Sequence, residues 1–279
     1  MTAMRSGSGV TSAHDTAMRQ AVLSASGIAK SFGHVTALTD VSVSIAPGEV
    51  VALMGDNGAG KSTLVKILSG ALAPDAGELR VRGERVHLGN PLDARAAGIE
   101  TVYQDLALAD DLSASGNLFL GRELMRSGVL GTLGFLDFKL MRERATRHLA
   151  ELGARVPDVN APVRMFSGGQ RQSVAIARAS IWARDLIIMD EPTAALGVAQ
   201  TEQVSELIKR TAGGGVAVLV ISHSVPFVMD VANRIIVLRL GSVAAELLPA
   251  RTNHEEIVAA ITGAELHRSP AVNARGDDA

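Results

Sequence analysis

The chain has 279 residues, enough for one large domain or a domain carrying an inserted subdomain; 47% are hydrophobic but only 3% aromatic, so its core must be aliphatic. A formal charge of −2 gives no general attraction to nucleic acid or anionic lipid. Cysteine is absent, which excludes disulfides, thiolate metal sites and cysteine nucleophiles and fits a reducing compartment.

Residues 1–21 are rich in Ser, Gly, Ala and Thr and read as a disordered leader without the apolar stretch of a signal peptide. Two strand-like stretches follow, VLSASGIAKSFG and ALTDVSVSI, the second with Val41, Val43 and Ile45 alternating at period two. Val50 to Met54 is continuously apolar and stops at Gly55, as a buried central strand does. STLVKILSGALAP reads as a helix ended by Pro74, and GELRVRGERVHL as a hairpin about Gly83. From Leu106 to Pro162 the pattern is helical and more charged, with FKLMRERATRHLAELG its clearest amphipathic piece. SGGQRQSVAIARASIWA continues that helical subdomain, expected over about 106–180. The strand LIIMDE, the helix VAQTEQVSELIKRTA, a turn at Gly213-Gly214-Gly215 and the strand VAVLVIS come next. RIIVLRL reads as the final strand, followed by a short helix near HEEIVAAIT and a polar tail over 265–279.

Strands alternating with helices predict an α/β fold with a mostly parallel sheet, one domain over 22–264 with a helical insertion. No segment approaches the roughly 20 apolar residues that span a bilayer, so membrane work requires separate partner subunits.

Gly55-Asp56-Asn57-Gly58-Ala59-Gly60-Lys61-Ser62 satisfies the pattern GxxxxGK[ST] between a buried strand and a helix. Glycine lets the backbone close around phosphate with its amide hydrogens inward, and the helix that starts here adds its positive end. Lys61 supplies a cation, Ser62 a hydroxyl for Mg²⁺, and Thr63 continues the ATP-binding segment. The strand Leu186–Met189 ends in two carboxylates, Asp190 to hold Mg²⁺ and Glu191 to polarise the attacking water.

At Ser167-Gly168-Gly169-Gln170, followed by RQSVAIARA, the chain resembles the ATP-binding cassette (ABC) ATPases. The resemblance covers about residues 22–262 and implies a P-loop NTPase-like core with an antiparallel β subdomain and an inserted helical subdomain. It implies that the signature faces the γ-phosphate of ATP held by a second subunit, so that two copies sandwich two ATP molecules. Phe32 matches the aromatic that stacks on adenine, its alternative being a core phenylalanine. Gln104, in TVYQDLAL, matches the glutamine that senses Mg²⁺ and water, and His223 the switch histidine at the γ-phosphate. After DEPTAAL the family usually carries aspartate, where this chain has Gly197. ALG at that point, GIETVYQDLAL and NLFLGRE resemble the ATPases of bacterial monosaccharide importers.

The expectation is therefore a homodimeric ATPase using ATP and Mg²⁺ at the cytoplasmic face of a bacterial inner membrane. It would power sugar uptake through transmembrane permease subunits fed by a periplasmic sugar-binding protein. A non-transport switch in DNA repair or on ribosomes is the competing reading, as is import of a different solute. Arg164, Arg171 and Arg178 are spaced along one stretch but no aromatic platform accompanies them, so nucleic acid is not an expected partner. Trp182 reads as a packing residue, and Arg142, Glu143 and Arg144 as a solvated helix face.

Overall fold

The computed structural model describes residues 21–264. Its centre is a six-stranded sheet of β3 (Val50–Gly55), β6 (Ile99–Val102), β7 (Leu186–Asp190), β8 (Ala217–Ile221), β9 (Arg234–Arg239) and β10 (Ser242–Leu247). The spatial order is β10-β9-β3-β8-β7-β6, with every neighbouring pair parallel except β10 and β9. A second, antiparallel sheet joins β1 (Leu23–Phe32), β2 (Val35–Ile45), β4 (Ala76–Val81) and β5 (Glu84–Val86) in the order β2-β1-β4-β5.

The continuous apolar runs of β3, β7 and β8 follow from burial on both faces. Val50, Ala52, Met54, Ile187, Met189, Val218 and Val220 pack into one core with the helices of the insertion. Val51, Leu53, Leu186, Ile188, Leu219 and Ile221 pack into the other, between the two sheets. Truncating one of them, Ile188→Ala for example, removes about 2–5 kcal/mol. In β2 only one side faces the core, so Leu38, Val41, Val43 and Ile45 are buried while Thr39 and Asp40 are exposed.

Helix α1 (Lys61–Leu68) follows β3, and α2 (Pro91–Ala96) precedes β6. The insertion contains α3 (Ala114–Phe119), α4 (Val129–Thr132), α5 (Phe138–Leu152) and α6 (Gly168–Trp182). Then α7 (Val198–Gly213), α8 (Val225–Val231) and α9 (His254–Thr262) alternate with the last strands. Among the described residues no helix is long and apolar enough to cross a membrane.

Several boundaries differ from those read in the sequence. Helix α1 stops at Leu68, six residues before Pro74, because Gly70 turns the chain with φ +74 and Leu72 N–H returns to the Lys66 carbonyl. RIIVLRL is not the last strand: β10 doubles back antiparallel on it. Ala21 is buried at 5% exposure and so belongs to the fold rather than to the leader. The leader (1–20) and the tail (265–279) lie outside the described residues.

One fully buried amide fastens the loop that leads into α3. Asn117 Oδ1 accepts the Ala109 N–H at 2.8 Å, and Nδ2 donates to the carbonyls of Ala109, Leu112 and Ser113 at 3.0, 3.2 and 3.1 Å. Trp182 packs as the sequence suggested, edge-on to Phe119 with centroids 5.8 Å apart and its indole N–H donated to the Leu118 carbonyl. Arg142, Glu143 and Arg144 are exposed on α5, and Gly213-Gly214-Gly215 turns α7 into β8.

Candidate functional site

The parallel register sets the site. Leu53 lies beside Ile221, and Ile221 beside Asp190, so the ends of β3, β8 and β7 stand in a row. The chain leaves β3 at Gly55 and re-enters helix at Lys61, with Gly60 as N-cap at φ +103. A Cβ on Gly60 would sit 2.6 Å from the Ala37 carbonyl, so this turn has room for no side chain. The first amides of α1 have no partner within the helix and are available as donors. Lys61 is 7% exposed, and its Nζ donates to the carbonyls of Gly55 and Asp56 at 2.8 and 2.9 Å. Burial pulls its pKa down, against the pull of Glu191, Asp56 and Asp190.

Asp190 and Glu191 end β7 facing that lysine. Glu191 takes a left-handed backbone at φ +49, and its N–H donates to the Ile221 carbonyl at 2.9 Å, which fixes the turn. Burial pushes both carboxyl groups above the usual carboxylate range, Lys61 and His223 acting in the opposite sense. His223 Nε2 stands 3.2 Å from Glu191 Oε1, yet its orientation makes no hydrogen bond and Oε1 is buried without a partner. A buried carboxylate oxygen left unpaired beside a histidine is placed to receive a proton.

Phe32, residues 57–63, Gln104, Asp190, Glu191 and His223 all line one open cavity of about 410 Å³. Phe32 is 52% exposed on its rim, with Lys30 Nζ 5.8 Å from the ring centre, so it is not the core phenylalanine that the sequence left open. Val35, Thr36 and Ala37 form another wall. Sequence reading passed over them, and their nearness to Phe32 across the β1–β2 turn was the available signal.

The signature residues do not line this cavity. Ser167 is the N-cap of α6: its hydroxyl accepts the Gln170 N–H at 3.4 Å, while Gln170 Oε1 accepts the Ser167 N–H at 2.9 Å. Ser167 and Gly168 are exposed, and Gly169 is buried where α7 crosses, its would-be Cβ 3.0 Å from Gln200 Cγ. Gly197 caps α7 by backbone alone, donating its N–H to Gln200 Oε1 at 3.1 Å.

Residues 38–194, more than half of the chain, match the ABC transporter family. The chain belongs to that family. The cassette is 44% identical over 249 residues to a fructose import ATP-binding protein of Rhizobium meliloti, spanning 88% of this chain and 96% of the relative. It is 47% identical over 237 residues to a xylose/arabinose import ATP-binding protein of Sulfolobus acidocaldarius, spanning 85% and 92%. A ribose import ATP-binding protein of Chromobacterium violaceum is 42% identical over 86% of the cassette, which spans only 47% of that longer protein. Among solved structures, a dimeric bacterial ABC transporter cassette superposes with a TM-score of 0.67 at 26% identity, over 81% of this chain and 98% of that one. The cassette is accordingly an ATP-binding, ATP-hydrolysing subunit of the ABC type.

The three arginines set aside in the sequence have partners within the cassette. Arg164 pairs with Asp111, Arg171 with Asp110, and Arg178 donates to the carbonyls of Leu106 and Ala107. Arg171 and Arg178, seven residues apart on α6, fall on one helix face, and Arg164 joins them from the short turn Val163–Met165 before the cap.

Proposed function

We propose that this ABC ATPase powers uptake of a monosaccharide through separate membrane permease subunits, with ATP hydrolysed at the cavity bounded by Phe32 and Glu191. The observation that carries the site is the convergence of the glycine-rich loop, Asp190, Glu191 and His223 on that one cavity. The sugar-import names of relatives 44% and 47% identical over most of their length support the transported class.

In this reading adenine stacks on Phe32, and the loop amides of residues 57–63 with Lys61 bind the phosphates. Moving from the carbonyls of Gly55 and Asp56 to a phosphate restores a charged partner to a buried cation. Glu191 takes the proton of the attacking water, and His223 holds the γ-phosphate and the glutamate in line. Ser62, Asp190 and Gln104 form an all-oxygen donor set at the cavity, the chemistry that suits Mg²⁺, and would hold it. Bound there, Mg²⁺ would neutralise charge on the phosphate oxygens. Ser167, Gly168 and Gly169 open α6 away from this cavity, which supports donation to ATP on a second copy. A homodimer follows, in keeping with the dimeric cassette among solved relatives.

A groove of about 490 Å³ beside edge strand β6, lined by Arg95, Glu100, Leu120, Arg122, Arg178 and Trp182, supports docking of the permease next to the Gln104 loop. A periplasmic sugar-binding protein completes the assembly, with the cassette on the cytoplasmic face of the bacterial inner membrane. Residues 22–264, together with the buried Ala21, act as one ATPase domain with the helical subdomain inserted.

The test is phosphate release and nucleotide binding by wild type and Glu191→Gln, then stimulation of the permease complex by fructose, xylose, arabinose and ribose. Glu191→Gln should bind ATP normally and turn over about 10²–10⁴-fold more slowly. A variant that hydrolyses at the wild-type rate removes Glu191 from its role. A complex indifferent to all four sugars removes the monosaccharide.

A further inference from the structure

Gln104 is exposed, and the segment that follows it takes an unusual path. Leu106 and Ala107 both adopt left-handed backbone conformations, at φ +59 and +44, which are strained for residues that carry a side chain. Such a path persists only where the surroundings impose it. Here the two carbonyls converge on one guanidinium: Arg178 donates from Nη1 to Ala107 at 2.6 Å and from Nη2 to Leu106 at 2.8 Å. A planar fork matched to two acceptors is geometry that lysine lacks.

Arg178 stands nearly three turns into α6, the helix that Ser167 caps. Arg171 of the same helix and Arg164, on the short turn before it (Val163–Met165), reach the same segment. Arg171 Nη2 meets Asp110 at 2.6 Å, and the Arg164 N–H donates to the Asp110 carbonyl at 3.0 Å while its side chain meets Asp111 at 3.0 Å. The Asp110 and Asp111 pairs are largely exposed and contribute little on their own. The Arg178 fork is half-buried and holds the strained pair.

We infer that Arg178 is a positioning residue that locks the Gln104 loop to the signature helix, so that Gln104 and Ser167 shift as one rigid piece. The inference rests on the proposed role of Gln104 at the cavity and goes beyond it. Displacement of α6, when its N-terminus engages ATP on a second copy, is carried to Gln104 through two backbone carbonyls. The reverse holds equally: Gln104 engaged at the cavity biases the orientation of the signature.

The test is phosphate release by the full chain with Mg-ATP, for wild type, Arg178→Met, Arg178→Lys, Gln104→Ala and the Arg178→Met/Gln104→Ala pair. Binding of a fluorescent ATP analogue is measured on each. Arg178→Met should turn over at least ~10-fold more slowly and need several-fold more Mg²⁺ for half-maximal rate, with analogue affinity within about 2-fold of wild type. Arg178→Lys should recover part of the rate, and adding Arg178→Met to Gln104→Ala should cost nothing further. Losses that multiply in the pair overturn the coupling while leaving the Gln104 assignment intact, as does loss of analogue affinity in Arg178→Met. A Gln104→Ala chain with wild-type turnover and Mg²⁺ dependence refutes the Gln104 assignment itself, and the inference with it.

Discussion

Glu191 joins a left-handed backbone, burial and an unpaired carboxylate oxygen in one residue. Its pKa is raised by burial, so the folded chain binds this proton more tightly than the unfolded one. The corresponding stability is present below the ordinary glutamate range and is lost as pH rises through the folded value. Once pH has passed the folded value the carboxylate is ionised and its cost complete. Glu191→Gln removes that cost and should melt higher than wild type at pH 8, by about 1 kcal/mol or roughly 2–4 °C. The difference should shrink as pH is lowered through the carboxylate range; a constant difference in thermal melts at all pH values would count against a charge effect. The same rise in pKa puts the acid limb of the hydrolysis profile above the ordinary glutamate range, since the protonated residue accepts no proton. From the sequence alone Glu191 was legible as a strand-end carboxylate, but its 3.2 Å approach to His223 was not. That distance comes from the β7–β8 register, in which Asp190 faces Ile221, and register is a long-range property.

At the scale of elements, α7 begins without a side-chain cap, because Gly197 offers only its backbone to Gln200. Nothing lies closer than 4.0 Å to a Cβ built there, so the aspartate usual in the family fits. Gly197→Asp should supply the missing acceptor to the first turn and stabilise by a few tenths of a kcal/mol, about 1 °C. A calorimetric scan showing a lower melting temperature would refute the capping argument. Helices α5 and α7 were readable because each buries one stripe and solvates the other, whereas α6 is buried nearly all round and was readable from its SGGQ start. Strand β10 was not, since SVAAEL lies half-exposed on a sheet edge and carries no apolar run. Strand β6 has four residues, too few for a period to emerge. The end of α1 was misplaced because glycine ends a helix earlier than the proline that draws attention.

In the whole molecule, the exposed start of the signature helix and the ATP cavity are separate features of one cassette, and in the proposed homodimer closure of two copies would bring them together. Glu191→Gln with ATP should therefore double the mass seen by light scattering, and removal of ATP should reverse it. Ser167→Ala loses its cap, about 1 kcal/mol, and should weaken that dimer without changing nucleotide binding by a single copy. A Ser167→Ala dimer as tight as the parent would separate the signature from the contact. Trp182 is the one tryptophan among 279 residues, wedged against Phe119 with Arg122 4.9 Å above its ring, at the seam between α3 and the signature helix. The cassette thus carries a native fluorophore at its internal joint. Its emission, read without any label, would report any change in the packing of that seam when nucleotide is added.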